Sequence, residues 1–551
     1  MKSYFFKISF IMAFSLTFAS CSKDDNNPAN KENTYAVFLQ EQLTVQAAAG
    51  EVTAMTEWSS TTWEIGMDNN KGIITKISPT QGGDPTKSKQ YSQVTFSYNE
   101  NTTTDARTQE IFLTDKTTGV RSKLVIVQNS GYSAVTLSPN VKYQPVVGFG
   151  GMYNPKIWIS GNNLITDAEI AKMYDPNQLG YNMLRLMIYP NESDWAADVQ
   201  GAKSAQQRGA ILLAAPWDCT DALSETITAN GKSVKHLKPA NYQAYADHLI
   251  RYINYMKANG VNIYTVSMQN EPDMEFTYWY PQEIVDFIKG YGDQIRATGV
   301  KLMAPESCGT SPEYTDPVLN DPVAFGKTDI VAGHLYQGFV KTGESSYVKN
   351  RHDYICGLYS GKLANAGKTW WMTEHLFNDG ESETSPALWQ FQKWSYNLSN
   401  LAQEIHMSME GNCSAYIYWY LKRFYGMIGD TDARSLVAVG AVAKNGYILS
   451  HYAKYASGRT RIKVETGDPG VMATAYINNQ ATELTVVFLN MKTQTFNALI
   501  NSQVNLNTVS AVATTETTNM EAVESRIADD KQSAIVILPA GSIVSVRLII
   551  K

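Results

Sequence analysis

Two carboxylates stand out because each closes an apolar run. Glu271 ends Val266-Ser267-Met268-Gln269-Asn270-Glu271, and Glu374 ends Trp370-Trp371-Met372-Thr373-Glu374. A carboxylate pair about 5–5.5 Å apart supports retaining glycoside hydrolysis: one group attacks the anomeric carbon, the other protonates the leaving oxygen and then deprotonates the incoming water. Asn270, directly before Glu271, has the chemistry to hold a sugar 2-hydroxyl. Other constellations are weaker. His236, His248, His352 and His406 are scattered without metal-ligand spacing. Gly148, Gly150 and Gly151 lack the helix that a phosphate-cradling loop would open, and Ser193, Ser224 and Ser307 sit in no nucleophile-elbow pattern. The chemistry is therefore expected to run without metal or cofactor.

Such a pair needs a frame that brings both side chains to one place. From about residue 145, short apolar strands alternate with longer helical segments, the rhythm of βα units and a parallel sheet. Eight strands are expected to begin near Val147, Asn182, Ile211, Ile263, Lys301, Ile330, Thr369 and Tyr416. Tyr242 to Asn259 places Tyr245, Leu249, Tyr252 and Met256 on one helical face, and Pro281 suits the first turn of a helix reaching Ile295. These units predict a (β/α)8 TIM barrel over 134–457, with its active site at the C-terminal ends of the strands. Glu271 and Glu374 would then close the fourth and seventh strands.

The flanking regions read as β-rich, making the chain multidomain. Residues 34–131 carry alternating runs such as Val94-Thr95-Phe96-Ser97-Tyr98 between turns, as in a small Ig-like β-sandwich. Trp58 within them is a sugar platform if exposed and a core residue if not. Residues 458–551 read as a second β-sandwich, associated with the barrel and taking a strand from 134–145.

The 551 residues carry 46 Lys and Arg against 52 Asp and Glu, a net charge of −6. That balance argues against nucleic acid, whose affinity rests on neutralising phosphates. The N-terminus reads as a signal: Lys2 and Lys7 precede the apolar run Ile8 to Phe18, too short to span a bilayer. Phe18-Ala19-Ser20-Cys21 resembles a lipoprotein cleavage box, with Cys21 lipidated and residues 22–33 as a polar linker. An outer-membrane lipoprotein, exposed at the cell surface, monomeric and touching the membrane only through that lipid, is expected. The remaining cysteines, Cys219, Cys308, Cys356 and Cys413, form neither a disulfide framework nor a zinc pattern.

Six motifs together resemble glycoside hydrolase family 30, most closely the glucuronoxylanases of its subfamily 8. They are Gly148-Phe149-Gly150-Gly151-Met152, Ala215-Pro216-Trp217, Gln269-Asn270-Glu271-Pro272-Asp273, Met303-Ala304-Pro305-Glu306-Ser307, Gly333-His334-Leu335-Tyr336 and Trp371-Met372-Thr373-Glu374. The resemblance implies a retaining endo-β-1,4-xylanase acting on glucuronoxylan, with Glu271 as acid/base and Glu374 as nucleophile. It implies that Trp217, His334, Tyr336 and Trp419 line the subsite where cleavage occurs, with Arg185 also binding substrate and Trp158 in the first βα loop. Arg423 and Tyr425 match an Arg-x-Tyr that binds the glucuronate branch, and a guanidinium fork suits a carboxylate. Two features depart from the pattern: a longer loop near Trp158, and His375-Leu376-Phe377 where tyrosines are usual. Leu376 and Phe377 offer no hydroxyl to the branch acid. Residues 34–131 resemble a BACON domain through Trp63, the Pro79–Gly83 loop, Asn101-Thr102 ahead of Arg107, and Val127-Gln128-Asn129. The alternatives are a relative acting on unbranched xylan, β-1,6-glucan or a glucosyl conjugate, and a noncatalytic glycan-binding surface lipoprotein.

Overall fold

Eight strands run parallel and close into a barrel in chain order: β1 (Gly148–Met152), β2 (Met183–Ile188), β3 (Ile211–Pro216), β4 (Ile263–Ser267), β5 (Lys301–Ser307), β6 (Ile330–His334), β7 (Thr369–His375) and β8 (Cys413–Tyr418). This computed structural model describes residues 34–156, 164–274, 276–336, 346–376 and 392–551. Almost every barrel residue is buried, which explains why the strands read as continuous apolar runs rather than alternating ones. Inside the barrel, Met183, Leu213, Met303, Ile330, Ala332, Trp371, Ala415 and Ile417 fill the axis, and Tyr264 stacks on Trp371 at 6.0 Å. The interior is therefore a packed core that leaves only the C-terminal mouth for chemistry. Strand β8 starts earlier than its sequence suggests, because Cys413 and Ala415 pair with Trp370 and Trp371 of β7. Trp419 consequently falls just beyond the strand.

Helices cover the outside. Helix α1 (Asp167–Tyr174) is opened by a reciprocal capping box between Thr166 and Glu169. Helix α2 (Tyr242–Ala258) buries Tyr245, Leu249, Tyr252 and Met256 against the barrel, with Leu249 and Met256 each worth about 1.5–3 kcal/mol of transfer free energy. Helix α3 (Pro281–Arg296) begins on its proline, as the fixed φ favours.

A hairpin, Ser224–Ala229 paired with Lys232–Leu237, sits between β3 and α2. Its turn is Asn230-Gly231, at φ 51° and 74°, the backbone that a two-residue hairpin turn needs. The hairpin packs Val234 and Ala229 on Tyr278 and bridges to it from His236, so it backs the loop that follows Glu271.

Residues 34–131 form a compact unit of their own. A four-stranded and a five-stranded sheet share a core containing Trp63, Phe96, Ile111, Leu124 and Ile126. Gly82 lies flat on the Trp63 indole, where a Cβ would collide. Trp58 is buried and its indole N–H donates to Ser92 Oγ at 2.9 Å, which removes it as a sugar platform. The unit from Tyr132 onward contains the barrel and a ten-stranded sheet. In that sheet, strand Ser133–Val146 lies between Arg459–Thr466, antiparallel, and Phe496–Asn501, parallel.

Candidate active site

The barrel mouth gathers side chains from β2 and from the ends of β4, β5, β6 and β7. Arg185, pointing up from β2, is the hub. Its Nη1 donates to Glu374 Oε2 at 2.5 Å, and its Nη2 donates to Asn270 Oδ1 at 2.6 Å and to Glu306 Oε1 at 3.2 Å. Tyr336 donates its hydroxyl to Glu374 Oε1 at 2.8 Å. His334 Nδ1 meets Glu271 Oε1 at 2.9 Å. Ligand-capable atoms of Glu271, His334 and Glu374 all lie within 4.8 Å of one another; these three are the described residues placed to hold a cation if one bound. The Asn270 side-chain nitrogen is buried without a hydrogen-bond partner among the described residues, leaving a donor for something outside the protein.

Backbone geometry aims these groups. Past β4, the chain stays bonded to its neighbours: Asn270 N–H donates to Pro216 O at 2.7 Å, and Glu271 N–H to Glu306 O at 3.0 Å. Glu271 and Glu306 both take positive φ, 47° and 61°. A left-handed non-glycine residue is strained, and the strain is tolerated where surrounding bonds over-determine it.

Burial sorts the charges. Arg185, His334 and Glu306 are 0% exposed, whereas Glu271 and Glu374 keep 8% and 4%. The two carboxylates are thus the outermost members of a buried charged cluster. Burial alone would push Glu306 up, but Arg185 and His334 overcome it and hold its carboxyl down at about 2. Burial opposes the charged form of His334, yet Glu374, Glu271 and Glu306 raise it to about 9. Glu374 is raised, chiefly by burial and with Glu271 adding to it, against the pull of His334, Arg185 and Tyr336. Asp273, whose carboxylate accepts from Cys308 N–H at 2.9 Å, is raised to about 6, mainly by burial.

The aromatic wall stands beside this cluster. Trp217 and Trp419 lie 5.9 Å apart at a 35° tilt, and the Arg185 guanidinium sits 4.5 Å from the Trp217 ring. Arg423 and Tyr425 form a second pair on the loop after β8, with the guanidinium 5.3 Å from the ring centre. The structure therefore brings Arg185, Asn270, Glu374 and Tyr336 into one hydrogen-bonded network and pairs His334 with Glu271, with Trp217 and Trp419 alongside. Trp158, Phe377 and Cys21 lie outside the described residues.

Three contributors had no role assigned from sequence. Glu306 closes β5 as Glu374 closes β7, so the strand-end rule would have found it. Asp273 and Glu404 are harder to foresee. Glu404 accepts from Tyr416 OH and meets His375 Nδ1, both at 2.6 Å, and the His375 ring then lies edge-on to Tyr336 at 5.0 Å.

Comparison with known proteins bears on this arrangement. The family model described as the glycosyl hydrolase family 30 TIM-barrel domain matches residues 168–373. The chain is 35% identical over 357 residues to glucuronoxylanase XynC of Bacillus subtilis, covering 64% of this chain and 77% of that one. Its fold is similar to a GH30 endoxylanase from Clostridium papyrosolvens C71, with 30% identity and a TM-score of 0.62 over 76% of this chain and all of that one. It is also similar to a family 30 subfamily 8 xylanase, Xyn30A from Clostridium acetobutylicum, at 28% identity and a TM-score of 0.61 over 76% and 99% of the two chains.

Proposed function

Since this chain belongs to glycosyl hydrolase family 30 and is a glycoside hydrolase, we propose that it is a retaining endo-β-1,4-xylanase acting on glucuronoxylan, with Glu374 as nucleophile and Glu271 as acid/base. The observation that carries this reading is the approach of the two carboxylates, whose oxygens come within 4.8 Å. That spacing suits direct attack on the anomeric carbon, whereas inverting enzymes separate the groups by about 6.5–9.5 Å to admit a water.

The proposed reaction follows from the hydrogen bonds. Arg185 and Tyr336 each donate to Glu374, which orients its carboxylate oxygens for attack. Glu374 attacks the anomeric carbon while Glu271 protonates the departing glycosidic oxygen. Glu271, now a carboxylate held on one oxygen by His334, takes a proton from water. That water attacks the glycosyl-enzyme and releases Glu374. The Asn270 side-chain nitrogen, without a hydrogen-bond partner among the described residues, donates to the sugar 2-hydroxyl, a bond that tightens in the oxocarbenium-like transition state.

Arg423, beside Tyr425, reads the glucuronate branch. The buried Leu376 contributes no hydroxyl there, which supports a looser dependence on the branch. The N-terminal unit is a BACON-like spacer, and Cys21 anchors the protein as a surface lipoprotein. Mass analysis of a glucuronoxylan digest tests the substrate, and proton NMR of the first product anomer tests retention. Products of β-configuration, each carrying glucuronate at a fixed place, are expected. Intact glucuronoxylan after prolonged digestion, or initial α-products, would overturn the reading.

A further inference from the structure

Another buried ion pair is made by Lys422, the residue before Arg423. Lys422 is 2% exposed, and its ammonium donates to Glu169 Oε1 at 2.7 Å, Glu169 Oε2 at 2.9 Å and Leu164 O at 2.9 Å. These acceptors use all three of its protons. Glu169 is itself fixed at the start of α1, where its Oε2 accepts from Thr166 N–H at 2.7 Å and Thr166 Oγ at 3.0 Å. Gly440, at φ 71°, leaves room for this carboxylate, since a Cβ there would stand 2.8 Å from Glu169 Oε1. The ordinary place for a lysine is the surface, so its burial here asks for a reason.

The neighbouring residues are held differently. Tyr425 O accepts from Tyr418 OH at 2.9 Å and from Asn445 Nδ2 at 3.0 Å, so Tyr425 is fixed from β8 and from the helix Lys444–Tyr455. Arg423 directly follows Lys422, whose side chain is drawn inward to α1. We propose that Lys422 and Glu169 are positioning residues for branch recognition: their ion pair anchors the backbone at Arg423 and keeps the adjacent lysine charge paired, so that Arg423 supplies the cation for the glucuronate carboxylate. The inference rests on the reading of Arg423 as the branch contact.

The test compares glucuronate-branched and unbranched xylo-oligosaccharides of equal length with the full chain. Glu169→Gln and Lys422→Met each leave a buried partner uncompensated, so the paired variant Glu169→Gln/Lys422→Met, which leaves neither charge, guards against misfolding. For the paired variant, KM on the branched substrate is expected to rise about tenfold, as loss of a charge-assisted contact predicts, with kcat and unbranched cleavage within about twofold. Equal losses on both substrates, or an unchanged branched KM, would overturn the proposal. Arg423→Ala in the same assay separates the two ideas: if it leaves branch preference intact, the reading of Arg423 has failed; if it removes preference while the paired variant keeps it, the positioning role has failed.

Discussion

The amide of Glu271 donates to the carbonyl oxygen of Glu306 across 3.0 Å, and both residues hold positive φ. Two strand ends are thus bent together, so that the carboxyl that borders solvent and the one that braces Arg185 share a single backbone contact. Replacing Glu306 with Gln removes a charge from beneath Arg185 and His334. Glu306→Gln is expected to lower stability by on the order of 3 kcal/mol, as for a broken buried ion pair. Denaturant unfolding measures this, and a loss below about 1 kcal/mol would show that Arg185 is satisfied without it.

The acid/base and nucleophile assignments make a sharper demand. Glu271→Ala and Glu374→Ala should each reduce turnover on glucuronoxylan by at least about a thousandfold while leaving the protein folded. Near-native turnover in either variant would refute the assignment.

Stability should depend on pH through the same cluster. The Glu306 carboxyl is lowered from 4.5 to about 2, so its contribution is fully present above 4.5 and fades as pH falls toward 2. His334 is raised from 6.5 to about 9, so its contribution is present below 6.5 and fades as pH rises toward 9. Melting temperatures of the natural protein and Glu306→Gln, taken across pH, isolate the first effect. The gap between them should be constant from pH 4.5 to 6.5 and should narrow below 4.5. A gap that widens on acidification would contradict the charged state assigned to Glu306.

The proposed branch reading has its own signature. Arg423→Ala should lower kcat/KM on glucuronate-branched xylan by about tenfold or more, with far less effect on unbranched xylan. Parallel losses would remove Arg423 from the branch subsite.

Much of this was legible in the residues, for reasons that can be stated. Strands buried on both faces leave uninterrupted apolar runs, so the barrel units could be counted, and a carboxylate ending such a run announces itself, as Glu271 and Glu374 do. Arg185 as a three-way hub could not be seen, because its partners sit on β4, β5 and β7 and meet only when the barrel closes. Trp58 illustrates a different limit: alternation assigns a side chain to one face of a strand but does not tell what covers that face. The hairpin at Asn230-Gly231 was there to be read, since that dipeptide between alternating residues is a strong local signal; the surrounding βα rhythm masked it.

Strand Ser133–Val146 gives the molecule a dependence on the order of its own synthesis. It leaves the ribosome ahead of the barrel, yet both its hydrogen-bonding neighbours, Arg459–Thr466 and Phe496–Asn501, come after it. Until translation nears its end, that strand has two open edges, the kind of surface that invites mispairing or capture by chaperones. A chain cut at Ser457 would keep every barrel strand and still leave this one without either partner, so such a fragment should lose solubility.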